Sequence, residues 1–309
     1  MNKVFLIFIG SLLSLLFMSA CGEGTNQNVS ADNPVKVVTT TAQIGDIAEN
    51  IGGENVEVES LMGPGVDPHL YQASQQDIKK LADADIVFYN GHNLEGNLQE
   101  IFEEINDKTP AYAVAENVPE NQLISEEGSS STDPHLWFDP KRWTYAVEGV
   151  RDGLIELDEE NESLYTDHAS EYIYMLDELD TFAKEKISSI PEESRVLVTA
   201  HDAFGYFGDA YDFKVEGLQG LSTDAEYSVR DVNNLVDLLE DQNIKAVFIE
   251  SSVSERAINA VIEGAAKREH EVEIGGELYS DAMGEEDTEE GTYEGMFRYN
   301  INKIVSSLK

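Results

Sequence analysis

The chain has 309 residues and a formal net charge of −41, from 61 acidic against 20 basic residues. So acidic a balance repels phosphate backbones and anionic membrane surfaces, which excludes nucleic acid as a partner. One cysteine excludes a disulfide within the chain. The acids are spread through helix-like segments and not gathered in a tail. They read as a solvated surface suited to high salt or alkaline surroundings, where screening relieves self-repulsion, and not as a polyanionic cation buffer.

In chain order, Lys3 is followed by the apolar run "VFLIFIGSLLSLLFMSA", too short for a comfortable membrane span and laid out as a secretory signal peptide over residues 1–20. It ends at Cys21. The stretch Met18-Ser19-Ala20-Cys21 resembles a lipobox, with Met where Leu is usual, and implies acylation of Cys21 and an extracytoplasmic location on the outer face of the cell membrane. Residues 21–34 are small and polar, as a flexible tether should be.

Beyond the tether, apolar strands alternate with amphipathic helices. "VKVVTTT", "VEVESLM", "DIVFYNG" and "PAYAVAE" read as strands of an N-terminal α/β lobe over residues 35–158, with helices at "AQIGDIAENIGG" and "SQQDIKKLADA". A further helix begins near Pro140. Residues 159–190 carry Leu164, Tyr172, Met175, Leu176, Leu179, Phe182 and Ile187 at helical spacing, and Pro191 marks a stop. They predict one long, stiff linking helix. A C-terminal lobe over residues 191–309 follows, with strands "SRVLVTAH", "DFKVEGL", "IKAVFIESS" and "VEIGGELY" and helices at "VRDVNNLVDLLEDQN" and "SERAINAVIEGAAKREH". The predicted class is α/β: two lobes, each with a mainly parallel sheet flanked by helices, bridged by one rigid helix.

Six histidines are present, and two of them, His69 and His135, sit in the same tetrapeptide, Asp-Pro-His-Leu. Proline fixes its own φ and drives the residue before it out of the helical region, so each imidazole is offered from a restrained loop. His201 ends the strand that opens the second lobe. Asp281, in "GELYSDAMG", follows that lobe's last strand, although one aspartate among 61 acids carries no signal by itself. Ligands collect at the C-terminal ends of parallel strands, so these four groups are placed to converge between the lobes. Imidazole nitrogen with carboxylate oxygen suits zinc and leaves manganese possible. His92 is a weaker candidate at the first sheet's edge. His168 and His270 are expected on helices, exposed.

The stretches "VVTTTAQIGDIAENIGG", "LMGPGVDPHLYQAS", "VFYNGHNLEG", "DPHLWFDPKRWTYAV", "VLVTAHDAFGYFGDAYDF", "LQGLSTDAEYSVRDV", "AVFIESSVS" and "GGELYSDAMG" run through nearly the whole mature chain. In them the sequence resembles the zinc- and manganese-binding solute-binding lipoproteins of ABC-type importers, a family with treponemal, streptococcal and bacillary members. The resemblance implies two α/β lobes joined by a long helix and a metal buried between them. It carries the ligand positions onto His69, His135, His201 and Asp281. It further implies a monomer that delivers its ion to a membrane permease. Manganese-specific relatives often place Glu where His201 stands, and zinc-specific ones often carry a His-rich loop that "QLISEEGSSSTDP" lacks. Both metals therefore stay open, manganese on the "TAHDAFGYF" region and zinc on affinity. Two rivals remain. One is a zinc metallohydrolase using the same histidines with Glu250 as general base; Glu250 also reads as a buried structural acid at a strand end. The other is a surface adhesin, although no adhesive repeat is visible.

Overall fold

The computed structural model describes residue 29 and residues 33–106, 108–125 and 131–309. The signal segment, Cys21 and most of the tether lie outside the described residues. The first strand, β1 (Val35–Thr41), is buried at six of its seven positions, as a strand covered on both faces must be. It is followed by α1 (Ala42–Gly52), β2 (Val56–Met62), α2 (Gln75–Asp83) and β3 (Ile86–Tyr89). Then come α3 (Gln99–Ile105) and β4 (Ala111–Ala113). All pairings are parallel, in the order β2-β1-β3-β4. The order reverses beside β1, and the crevice at the strand ends there is where such sheets take ligands.

Helix α4 (Pro140–Leu157) starts on Asp139, whose carboxylate accepts the Lys141 N–H at 2.9 Å, with proline in the first turn. The long helix, α5 (Glu162–Ile187), has 26 residues and spans about 39 Å at 1.5 Å per residue. It is led in by a 3-10 turn at Glu159–Asn161, so the predicted span 159–190 is trimmed at both ends. Its inward stripe is Tyr165, Ala169, Tyr172, Leu176, Leu179, Ala183 and Ile187. Leu164, expected on that stripe, faces solvent. Helix α5 packs against α1, α4 and the C-terminal helix.

The second lobe contains β5 (Val196–His201), α6 (Gly205–Tyr211), β6 (Lys214–Gln219) and α7 (Val229–Asp241). It continues with β7 (Ala246–Glu250), α8 (Arg256–Ala266), β8 (Glu273–Leu278) and α9 (Tyr293–Leu308). Its strands are parallel but form two pairs, β5-β6 and β7-β8. Strands β5 and β7 lie side by side without a ladder; the His201 N–H instead donates to the Glu250 carboxylate at 2.9 Å.

Two histidine expectations need correction. His168 lies on α5 but is half-buried, with Nδ1 2.8 Å from the Ile51 carbonyl. His270 lies past the end of α8 and is buried, with Nε2 2.8 Å from the Ile244 carbonyl. Each imidazole satisfies an orphan carbonyl of a distant segment, which no local pattern reveals.

One hydrophobic core runs through both lobes, joining Ile44 and Phe88 to Trp137, Trp143, Leu176, Phe204, Tyr293 and Phe297. Phe138 of the first lobe stacks on Phe204 of the second, ring centroids 4.2 Å apart. Both are fully enclosed, so the lobes share a packed seam and not a wet hinge. Phe204→Ala should lower stability by about 3–5 kcal/mol, seen as a lower urea midpoint at unchanged slope; a midpoint within error of the parent would refute the seam's role.

Candidate metal centre

The loop after β2 carries "GPGVDPHL". Gly65 in it adopts φ +70°, a left-handed conformation that side-chain-bearing residues avoid, and the loop then turns His69 inward. His135 comes from the segment just before α4. His201 is the last residue of β5, and Asp281 lies three residues beyond β8. Thus the two lobes supply two groups each.

The four meet. One ligating atom of each lies within 4.8 Å of all the others. The His69 and His135 Nε2 atoms are 3.3 Å apart, and His201 Nε2 is 3.2 Å from Asp281 Oδ2. His135 Nε2 stands 3.5 Å from Asp281 Oδ1, and His69 Nε2 3.8 Å from Oδ2. Burial is nearly complete; His69, at 6% exposed, is the most open of the four.

Both Asp281 oxygens and His201 Nε2 lack a hydrogen-bond partner among the described residues. Buried polar atoms are rarely left so. A cation at their centre would satisfy all of them together, and the donor set of three nitrogens and one carboxylate fits such an ion.

Outer carboxyl groups aim the rings. Asp133 Oδ1 accepts the His135 backbone N–H at 2.9 Å and lies 2.7 Å from Nδ1 of the same residue. That places the ring proton on Nδ1 and leaves the Nε2 lone pair facing the cluster. His201 Nδ1 lies 2.6 Å from Glu250 Oε2, an ion-pair contact whose angle is off the line of a hydrogen bond. Glu250 therefore stands behind His201, away from the centre, where a general base would not be useful. Its structural reading is the one that fits.

The rest of the frame is polar and non-local. Asn90 donates to the Pro134 carbonyl at 3.0 Å and Asn97 to the His69 carbonyl at 3.2 Å. Buried Glu95 ties Asn90 in place by accepting its N–H and the Thr40 hydroxyl. From the first lobe, Gln43 donates to the Asp281 carbonyl at 3.0 Å, and the Trp137 indole to the Ser280 carbonyl at 3.0 Å. The asparagines of "YNGHNLEGN" were within reach of sequence reading, but their carbonyl partners were not. His92 is outside the cluster. Its Nε2 is 3.1 Å from the Ala115 carbonyl, and it lines a neighbouring cavity of about 560 Å³ together with His69, Thr132, Pro134, Leu221 and Ser222.

Electrostatics divide the imidazoles. Burial pushes His69 down to about 3, so it is neutral at physiological pH. Burial also opposes charge on His201, but the facing carboxylates of Glu250 and Asp281 outweigh it and raise its pKa. Burial would likewise raise Asp281, yet His201 and then the other imidazoles hold it well below the usual carboxylate range.

Two α/β lobes stitched by a shared core, with a buried pocket of three imidazoles and a carboxylate at the seam, define a metal-capturing protein. Residues 37–307 match the family described as ZnuA, zinc-uptake complex component A, periplasmic, and the chain belongs to that family. Among its relatives, the manganese-binding lipoprotein MntA of Bacillus subtilis is 52% identical over 304 residues, covering 97% of this chain and 99% of that protein. The zinc-binding protein TroA of Treponema pallidum is 44% identical over 283 residues, covering 92% of each chain. The solved structure of that periplasmic zinc-binding TroA superposes with a TM-score of 0.87, covering 89% of this chain and 99% of the other. Such proteins are metal-uptake components and not enzymes.

Glu250→Gln should keep the fold but weaken metal binding by about 10–100-fold, the usual effect of losing a carboxylate behind a ligating histidine. Competition against a fluorescent chelator would check it; affinity equal to the parent would show that Glu250 has no part in aiming His201.

Proposed function

We propose that the chain is an extracytoplasmic solute-binding protein that captures manganese or zinc between its lobes and delivers it to the permease of an ABC-type importer. His69, His135, His201 and Asp281 are the ligands in this reading. The observation that carries it is the convergence of these four buried groups, with both carboxylate oxygens and His201 Nε2 lacking a hydrogen bond among the described residues. Residues 35–158 and 191–309 act as the lobes, 159–190 as the link, and an acylated Cys21 as the membrane anchor. The protein works as a monomer in this reading, which the completeness of its one described site within a single chain supports. The relatives' names support both metals, one being manganese-binding and another zinc-binding.

Capture exchanges the ion's water for protein groups. Around zinc, four such groups would fill a tetrahedral sphere, which leaves no open position for an activated water and disfavours hydrolysis. Because the nitrogens outnumber the oxygens, zinc should win over manganese on the isolated protein, whichever ion the cell supplies. In metal competition at pH 7.5, the mature chain should hold one ion and prefer zinc. His201→Ala should lower affinity at least about 100-fold without loss of fold. A parent protein that holds neither metal would overturn the reading.

The pH dependence follows from His201. Its raised pKa means the metal-free protein carries a proton there, paired with Glu250 and Asp281. That pairing stabilises the metal-free fold below the unfolded histidine value of about 6.5 and is lost as pH rises through the folded value. An incoming cation must displace this proton, whereas His69 is already neutral. Affinity should therefore rise about tenfold per pH unit at pH values below the folded His201 value, with release of about one proton. Calorimetry in buffers of different ionisation enthalpy measures that proton; a flat profile with no release would contradict the assignment.

A further inference from the structure

The cross-lobe hydrogen bonds from Gln43, Trp137 and Tyr206 lie within the buried frame around the seam. One is placed differently. Thr223 Oγ1 donates to Asp67 Oδ2 at 2.6 Å, joining the loop after β6 to the loop that presents His69. Residues Gly220, Leu221, Ser222 and Ala225 of that second-lobe loop line the 560 Å³ cavity onto which His69, the least buried of the four groups, also opens. Within 220–226, Thr223 alone is buried, at 8% exposed. A hydroxyl turned inward from a loop whose other residues are exposed or half-buried calls for a reason.

Both ends of this contact are anchored to the metal centre. On the first-lobe side, Asp67 Oδ1 accepts the His69 backbone N–H at 2.9 Å, so one carboxylate grips His69 and Thr223 together. On the second-lobe side, Gln219 is the register partner of His201, and its side-chain amide donates to the carbonyls of Thr223 and Ala225, each at 3.2 Å. A continuous chain of contacts therefore runs from His201 through Gln219, Thr223 and Asp67 to His69, beside the cavity.

We propose that Thr223 is a positioning residue for His69, acting through Asp67 as a latch across the cavity, and that it sets the rate at which bound metal leaves. This rests on His69 being a ligand. With the latch made, the His69 loop is held to the second lobe and the imidazole stays on the ion. With it broken, the His69 loop loses a hydrogen bond to that lobe, and the ligand facing the cavity is the first to let go. A permease that engaged the 220–225 loop would open the site by breaking this bond.

The test is zinc dissociation from the purified mature chain into excess chelator, followed by stopped flow, with association measured in parallel. Thr223→Val and Thr223→Ala should each speed dissociation about tenfold, the amount carried by a hydrogen bond to a carboxylate, while leaving association within about twofold. Thr223→Ser, which keeps the hydroxyl, should match the parent within about twofold. A generally loosened fold would slow association or lower the melting temperature of the metal-free protein, and rescue by serine separates the two. If the parent retains zinc but the valine and alanine variants release it at the parental rate, the latch is wrong and the metal centre stands. If the serine variant is as fast as valine, the hydroxyl is not the latch. If the parent retains no zinc, the metal centre itself fails.

Discussion

A carboxylate enclosed with three imidazoles and shielded from water is the constraint around which this protein is built. Asp281 is 2% exposed and its oxygens receive no hydrogen bond among the described residues. Leaving a buried charge so bare costs several kcal/mol unless a counter-charge is near. The facing carboxylates of Glu250 and Asp281 raise the His201 pKa, which makes a proton there the nearest counter-charge, and a bound cation would take its place. Proton and metal are thus alternatives at one place, and the energy that makes the empty site costly is the same energy that makes the filled one tight.

The remainder of the structure keeps that pocket from collapsing or relaxing. Asp281 is fixed by first-lobe donors, Trp137 and Gln43, which hold the carbonyls on either side of its Cα. Beneath them the Phe138–Phe204 stack and the rings of Trp143 and Tyr293 close the seam. Close-packed interiors do not deform continuously. Large swings of one lobe against the other would break this core, so ligand release is better served by movement of loops at the cavity than by opening of the lobes. The long helix α5 agrees, since it packs along the same core and bridges without a break.

Much of this was legible in the sequence, for identifiable reasons. Strands β1 and β2 fall where the apolar runs put them, because runs bounded by clear turn residues leave little choice of register. The candidate ligands were found through loop chemistry and strand ends, reinforced by long matching motifs. What stayed hidden was tertiary. Helix α9 follows the acidic loop "GEEDTEEG" and begins on the cap Thr292, which looks like more loop. The second lobe's sheet divides because β5 and β7 meet through the Glu250 side chain and not through a ladder. His168 and His270 look like surface residues until the carbonyls they reach, Ile51 and Ile244, are known.

The repeated Asp-Pro-His-Leu shows how far a motif can be read. Proline accounts for the loop, but the aiming is done by the aspartate before it. In both copies Oδ1 accepts the N–H of the histidine two residues on, at 2.9 Å. There the likeness ends. Asp133 turns the same oxygen to the His135 ring and fixes its tautomer. Asp67 spends its second oxygen on Thr223 in the other lobe. The local half of the motif is common because it is dictated by four residues of backbone. The distant half differs because His135 is fully buried and needs only orientation, whereas His69 borders the cavity and must also be held in place. Identical sequence thus provides one imidazole oriented within its own lobe and one whose loop is also tied to the other lobe, an asymmetry that would suit a protein that must both keep an ion and give it up.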